Sequence, residues 1–233
     1  ELEIGKIYHK NNEENCKVKL DKQSLASHVF ITGSTGSGKS NTVYNLIEEC
    51  QKDEIKFLVI EPAKGEYKDA FGKEANVFGT NHKKSKLLKI NPFFFPDDIH
   101  VLEHVDRLIE LFNVCWPMYA AMPAVLKDAV LRAYENAGWD LTSSEYESQI
   151  KIYPGFKDVL YELNAVINES AYSEELKANY IGSLATRLNS LTTGLNGQIF
   201  VFDEIDNRTL FDDNTIVDLS RIASVETKEI FMG

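Results

Sequence analysis

Apolar and polar positions alternate along the chain in three distinct ways. Residues 2–8 and 16–20 alternate with a period of two, and the turn-rich stretch 11–15 between them predicts a β-hairpin. Two runs, Val29-Phe30-Ile31 and residues 57–60, are apolar throughout, as strands buried in a parallel sheet are. Between them Val43, Leu46, Ile47 and Cys50 fall at i, i+3, i+4 and i+7, one face of a helix. Residues 76–78 and 87–90 predict shorter strands, and the second closes at Asn91-Pro92.

From Asp97 the period turns helical and stays so to Gly194. Ile99, Leu102, Val105, Leu108, Ile109 and Phe112 line the face of a first helix. A second starts at Pro123, a favoured first-turn residue, and stops by Gly138. A third covers 156–168. Ser173 caps a fourth, with Glu174 and Glu175 in its first turn and Leu176, Tyr180, Leu184, Leu188 and Leu191 on its apolar face, ending at Gly194. The pattern predicts an α/β chain with a helical insertion.

The first apolar run leads into the chain's clearest chemistry. Residues 33–40 fit G-x-x-x-x-G-K-[ST], the phosphate loop, between a predicted strand and a predicted helix. Gly33, Gly36 and Gly38 allow the backbone to turn successive N–H groups toward one concavity, and the helix N-terminus adds the positive end of its dipole. Gly33, Ser34, Thr35, Gly36, Ser37, Gly38, Lys39, Ser40 and Asn41 form the expected nucleotide-binding set. Lys39 reaches the β/γ-phosphates and the Ser40 hydroxyl ligates Mg²⁺.

Carboxylates for the chemical step are less sharply placed. Glu61 and Glu66 follow the run 57–60, at the carboxyl end of a strand where ligands of parallel sheets collect. There they could orient water or metal beside a γ-phosphate; alternatively Glu61 caps or pairs locally and Glu66 is surface charge. Four apolar residues, 199–202, followed by Asp203-Glu204 have the form of a Walker B strand, and residues 215–220 are a second candidate. His100-Val-Leu-Glu103-His104 matches H-x-x-E-H, but no third ligand pattern follows and surface residues are the better reading.

With 233 residues, 43% hydrophobic and 26% charged, the composition is that of an ordinary globular chain, and no stretch approaches a membrane span. No secretory leader is visible, and Cys16, Cys50 and Cys115 lie far apart, which points to reduced thiols and a cytoplasmic setting. A net charge of −11 counts against a protein that coats nucleic acid, though not against a ring with a basic pore. The one basic cluster, His82-Lys83-Lys84-Ser85-Lys86, is read as a solvated loop.

Residues 28–41, the run Ile60-Glu61-Pro62-Ala63-Lys64-Gly65-Glu66-Tyr67 and Ile90-Asn91-Pro92-Phe93 together resemble the HerA branch of the FtsK–HerA ring ATPases. Residues 133–140, 186–191 and 216–222 are similar to that branch as well. The phosphate loop is shared by many families; the Glu-Pro-x-x-Gly-Glu-Tyr run and the late Asp218-Leu219-Ser220 segment are more specific. The resemblance implies a RecA-like P-loop NTPase sheet: an N-terminal hairpin (1–20), a first core part (21–96), a helical insertion (97–194) and a second core part (195–233). It also implies ATP and Mg²⁺ as cofactors, a homo-hexamer, movement on double-stranded DNA through the ring pore, and a nuclease or effector partner in DNA processing or phage defence.

The same resemblance moves Walker B. In the family it follows the Asp-Leu-Ser segment and the next helix, which would put it beyond Gly233 and make 199–204 a variable stretch. The chain also lacks an initiator methionine and stops inside a helix-like run, so a fragment of a longer protein is expected. Such a fragment would bind nucleotide and hydrolyse it poorly, with Glu66 the best remaining carboxylate. Arg187 and Arg221 are structural or trans-acting arginines. Two other readings stand beside this one: a ring scaffold that uses ATP to assemble an effector without translocating, and a GTPase. The GTPase reading is weak, because the chain has no N-K-x-D stretch.

Overall fold

The computed structural model describes residues 1–202 and 204–232. Its Cα positions form two compact units, Glu1–Leu58 with Asn207–Thr215, and Val59–Asp206 with Ile216–Gly233.

In the first unit, strands β1 (Leu2–His9) and β2 (Asn12–Leu20) pair antiparallel, from Leu2 opposite Leu20 to His9 opposite Asn12. The turn is tighter than the 11–15 stretch suggests. Lys10 and Asn11 both take positive φ (47° and 62°), the two-residue reversal that suits the twist of paired strands. Helix α1 (Lys39–Lys52) is tied to the hairpin by Glu49, whose carboxylate accepts the Glu3 N–H at 3.0 Å. Its predicted apolar face is turned inward, with Ile47 the most buried position.

The expected strand at residues 29–31 is not formed. The segment is extended coil, Phe30 is 89% exposed, and no ladder includes it among the described residues. An apolar run signals a demand for burial; a strand also needs a neighbour that offers N–H and C=O groups at the right spacing.

The sheet of the second unit runs in the order β3 (Leu58–Glu61), β8 (Thr215–Asp218), β4 (Asn76–Gly79), β5 (Lys86–Leu87). Thr215 N donates to Phe57 O at 2.8 Å and Leu219 N to Glu61 O at 2.9 Å, so β3 and β8 advance together, and β4 pairs β5 in parallel. All four residues of β8 are buried, as a central parallel strand requires.

Residues 199–202 depart from the strand they resemble. Asn196–Ile199 is a short helix, and only Phe200 makes a bridge, to Ile90. The run is apolar because it packs on aromatic rings, with Phe200 5.1 Å from Phe156 and 5.0 Å from Phe231 between ring centres. Asp203 lies outside the described residues.

The helical part follows the sequence closely. Helix α3 (Val101–Cys115) buries Val105, Leu108, Ile109 and Phe112 of its predicted face, but Leu102 is exposed, Val101 is buried in its place, and Ile99 precedes the helix. Helices α4 (Met122–Ala137) and α5 (Phe156–Glu169) form where expected, and Gly138 closes α4 at φ 103°. The predicted fourth helix is built from α6 (Glu174–Tyr180), a π-helical turn (Ile181–Ala185) and α7 (Thr186–Thr192). Tyr180, Leu184 and Leu188 are all buried. Successive four-residue steps overshoot a 3.6-residue turn, and the wider π turn takes up the excess.

A short hairpin, β6 (Trp139–Asp140) with β7 (Glu145–Tyr146), joins the aromatic core around Phe93, Phe95, Tyr134 and Trp139. The buried Tyr134 hydroxyl donates to the Phe93 carbonyl at 2.5 Å.

Candidate nucleotide site

The phosphate loop lies in the first unit, and its backbone explains its glycines. Gly36 and Gly38 hold φ at 80° and 92°, where a side chain is strained. Gly33 sits at φ 155°, and a Cβ there would stand 2.5 Å from the Ser37 hydroxyl. Ser37 N donates to Ser34 O at 3.2 Å, so the turn between Ser34 and Ser37 carries Thr35 and Gly36 at its tip. Residues 33–37 and Asn41 are exposed, whereas Gly38, Lys39 and Ser40 are half-buried where α1 begins.

Two features of this loop suit an anion. Gly38 is the N-cap residue of α1 and makes no side-chain cap hydrogen bond, so among the described residues that helix end carries no side-chain cap. The Lys39 ammonium folds back over the loop and donates to the carbonyls of Gly33 at 2.9 Å and Ser34 at 2.8 Å. The cation thus lies across the curve of the loop, held by two neutral acceptors that phosphate oxygens can replace. ATP fits this donor set: backbone amides, a lysine and the Ser40 hydroxyl at the helix start, the residue that would ligate Mg²⁺.

Glu61 and Glu66 belong to the second unit and come together there. The buried Glu61 carboxylate accepts the Glu66 N–H on one oxygen at 2.9 Å and the Tyr67 N–H on the other at 3.1 Å. Glu61 therefore pins the turn that presents Glu66. Glu66 itself is half-exposed and faces Lys64 across 3.6 Å.

Beside this turn is a network the sequence reading missed. Lys68, on the short helix α2 (Tyr67–Phe71), pairs with Asp218, whose other carboxylate oxygen accepts the Ser220 N–H at 3.0 Å and the Ser220 hydroxyl. Burial pushes the Asp218 carboxyl up, but the Lys68 and Ser220 hydrogen bonds outweigh it and hold the group below the usual carboxylate range. Gly65, at φ 73°, passes directly over these groups. The two most specific runs of the resemblance are thus in contact. Their joint appearance in one sequence is the signal that could have predicted it.

Other candidates make local contacts. His100 caps α3 by accepting the Leu102 N–H at 3.2 Å, and Glu103 pairs with Arg107. His104 is half-buried rather than on the surface; its Nε2 lies 3.0 Å from Pro92 O and its ring packs on Phe95. Burial pushes its pKa down. Among the described residues no group of three His, Cys, Asp or Glu side chains could hold a metal ion. Arg187 is held by the Ser183 hydroxyl at 3.1 Å. Glu204 accepts the Asn91 N–H at 3.1 Å, and burial pushes its pKa up.

The family model described as "Helicase HerA, central domain" matches residues 2–231. The chain belongs to the HerA central-domain family. The expectation drawn from the phosphate loop, the Glu-Pro-x-x-Gly-Glu-Tyr run and the Asp-Leu-Ser segment is borne out, and this is a HerA-type P-loop ATPase domain. A probable helicase of Methanocaldococcus jannaschii is 45% identical over 67 residues, 28% of this chain and 13% of that protein. The structure of VirB4 of Thermoanaerobacter pseudethanolicus superposes with a TM-score of 0.59 at 20% identity, covering 84% of this chain and 51% of that one. At that identity the likeness is one of fold, and it agrees with the RecA-like α/β architecture with a helical insertion. The HerA domain thus spans a small part of one relative and about half of the other. No helix among its described residues is long and apolar enough to cross a membrane.

Proposed function

We propose that this chain is the ATP-binding domain of a cytoplasmic, homo-hexameric HerA-type translocase that moves on double-stranded DNA with a nuclease or effector partner. The observation that carries the reading is the Lys39 ammonium seated on the Gly33 and Ser34 carbonyls, beside a helix end that no side chain caps. On nucleotide binding, Lys39 exchanges those two carbonyls for β/γ-phosphate oxygens, so the charge leaves neutral dipoles for a charged partner. The loop amides and the start of α1 hold the remaining phosphate charge. Ser40 supplies the hydroxyl ligand for Mg²⁺, and ATP·Mg²⁺ supplies the transferable phosphoryl group.

Glu66 is the carboxylate we assign to orienting water or metal, with Glu61 as its positioning residue through the Glu66 amide. The hydrogen bonds support unequal tasks for these two acids. Both Glu61 oxygens are committed to backbone N–H groups, whereas the Glu66 carboxylate faces solvent and can meet a ligand.

The test is Lys39→Ala assayed by calorimetric ATP titration. The expected result is loss of measurable ATP affinity with an unchanged melting temperature; retained affinity would remove the basis of the reading. Duplex-stimulated ATPase that weakens with salt distinguishes a translocase from an ATP-dependent scaffold, which should show no stimulation. Light scattering with ATP present measures the assembly state.

A further inference from the structure

The second unit reverses the charge of the chain locally. Lys64, Lys68, Lys73, Lys84 and Arg221 line an open cleft of about 600 Å³, with Asp69 the one carboxylate among its lining residues. Five cations against one acid leave the lining at +4, in a chain whose net charge is −11. Lys68 is already committed to Asp218, and Lys64 faces Glu66. Lys73, Lys84 and Arg221 are exposed and make no ion pair among the described residues. Three charged heads left facing one concavity repel each other, a cost that an anion bound among them would offset.

The backbone segments that carry Lys84, Lys64 and Arg221 are hydrogen-bonded into the fold. Lys84 lies in a turn whose Lys84 and Ser85 N–H groups both donate to Asn81 O, at 2.9 and 3.0 Å, while the Asn81 side chain accepts the Lys83 N–H at 3.0 Å. The basic cluster at residues 82–86 is therefore solvated at His82, Lys83 and Lys84, as expected, but begins in a hydrogen-bonded turn and ends in β5 at Lys86. The Lys68–Asp218–Ser220 network, with Gly65 packed over it, fastens the segments that carry Lys64 and Arg221 to each other.

The lining also limits what the cleft can bind. No aromatic side chain is present to stack a base, and Val77 is its only large apolar residue. Single strands and free nucleotides are gripped largely through stacking on aromatic rings. Charges distributed over separate segments, without a stacking platform, suit a ligand that offers phosphates and keeps its bases paired.

We propose that this cleft seats the phosphodiester backbone of duplex DNA, with Lys73, Lys84 and Arg221 as the phosphate-contacting cations. The proposal deepens the translocase reading above and rests on it. In this role Lys68 and Asp218 are positioning residues, and duplex contact is independent of base sequence.

The experiment is fluorescence anisotropy of a labelled blunt duplex titrated with the full chain at several salt concentrations. The protein is compared with the triple variant Lys73→Gln, Lys84→Gln, Arg221→Gln and a charge-matched control, Lys127→Gln, Lys151→Gln, Lys157→Gln. Each lost phosphate contact should lower the slope of log K against log salt by about 0.9, so the cleft variant should lose about 2.7 from its slope while the control keeps it. If the cleft variant fails to melt cooperatively near the wild-type temperature, the three single variants carry the test, at about 0.9 each. A duplex-binding wild type whose cleft variants keep its slope overturns this proposal alone. Equal loss in cleft and control variants does the same, because it assigns the effect to overall charge. A wild type that binds ATP but no duplex overturns both this proposal and the translocase reading.

Discussion

Lys68 and Asp218 stand 150 residues apart in the chain and meet as an ion pair beside the loop that carries Glu66. Asp218 ends the buried central strand β8, and Lys68 rises from α2 just after β3. The pair is mostly enclosed, with the Asp218 side chain 7% exposed and that of Lys68 20%. Its effect is to join the carboxyl ends of two neighbouring strands.

Breaking the pair should be costly. Asp218→Asn leaves the Lys68 ammonium half-enclosed without its counter-charge, and we expect a loss of about 2–3 kcal/mol in denaturant unfolding. Asp218→Asn with Lys68→Met should cost less than the sum of the single changes, because the stranded charge is gone. The sign of the pH effect follows from the depressed Asp218 pKa: its contribution is complete above the ordinary carboxylate range and fades as pH falls through the folded-state pKa. Wild-type stability should therefore drop in mild acid more steeply than that of the double variant. Parallel acid profiles would show that the pair is energetically idle.

Gly65→Ala should damage the same network from above. At φ 73° the new side chain is strained, and its Cβ would lie 2.8 Å from the Ser220 hydroxyl and 3.1 Å from the Lys68 nitrogen. The strain and the displaced hydrogen bonds should together lower stability by about 2 kcal/mol in chemical denaturation. An unchanged midpoint would mean that the loop relaxes freely.

The phosphate loop, the hairpin and helices α3 to α5 were legible because their signals are local. Glycine spacing, a period of two and a period of 3.6 each lie within a dozen or so residues. The Lys68–Asp218 contact was not, since neither residue carries any mark of a partner so far along the chain. Residues 29–31 and 199–202 show the limit of apolar runs. Both demand burial, yet the first forms no ladder among the described residues and the second meets aromatic rings instead of a strand. The π turn was hidden for a related reason: Tyr180, Leu184 and Leu188 fit a helical face closely enough that only their exact four-residue steps betray it.

Tyr134→Phe tests the aromatic core. The hydroxyl is buried and its proton satisfies the Phe93 carbonyl at 2.5 Å. Burial pushes its pKa far up, so the group stays a donor across the whole working range of pH. Removing it strands a buried acceptor, and we expect a loss of about 1–3 kcal/mol, insensitive to pH between 5 and 9 (roughly the range in which no phenol of this kind ionises). A pH-dependent loss would point to a different partner.

Glu204→Gln separates a structural acid from a catalytic one. Glu204 follows the run that resembles a Walker B strand, but its carboxylate accepts the Asn91 N–H at 3.1 Å and sits half-buried at the edge of the aromatic core. Burial raises its pKa, with the Asn91 hydrogen bond opposing. The folded state then holds a proton to higher pH than the unfolded chain does, so stability falls as pH rises from the ordinary carboxylate range through the raised value. A glutamine keeps the acceptor for Asn91 and removes that titration. The variant should therefore lose the acid-side slope in its stability profile and should be no less stable than wild type at pH 7. Its ATP affinity and ATPase rate should match wild type within about twofold, since one hydrogen bond to a neutral acceptor is worth about 1 kcal/mol and the acceptor is retained. A hundredfold fall in turnover with affinity intact would instead mark Glu204 as the acid that activates the attacking water, and would return residues 199–204 to the catalytic centre.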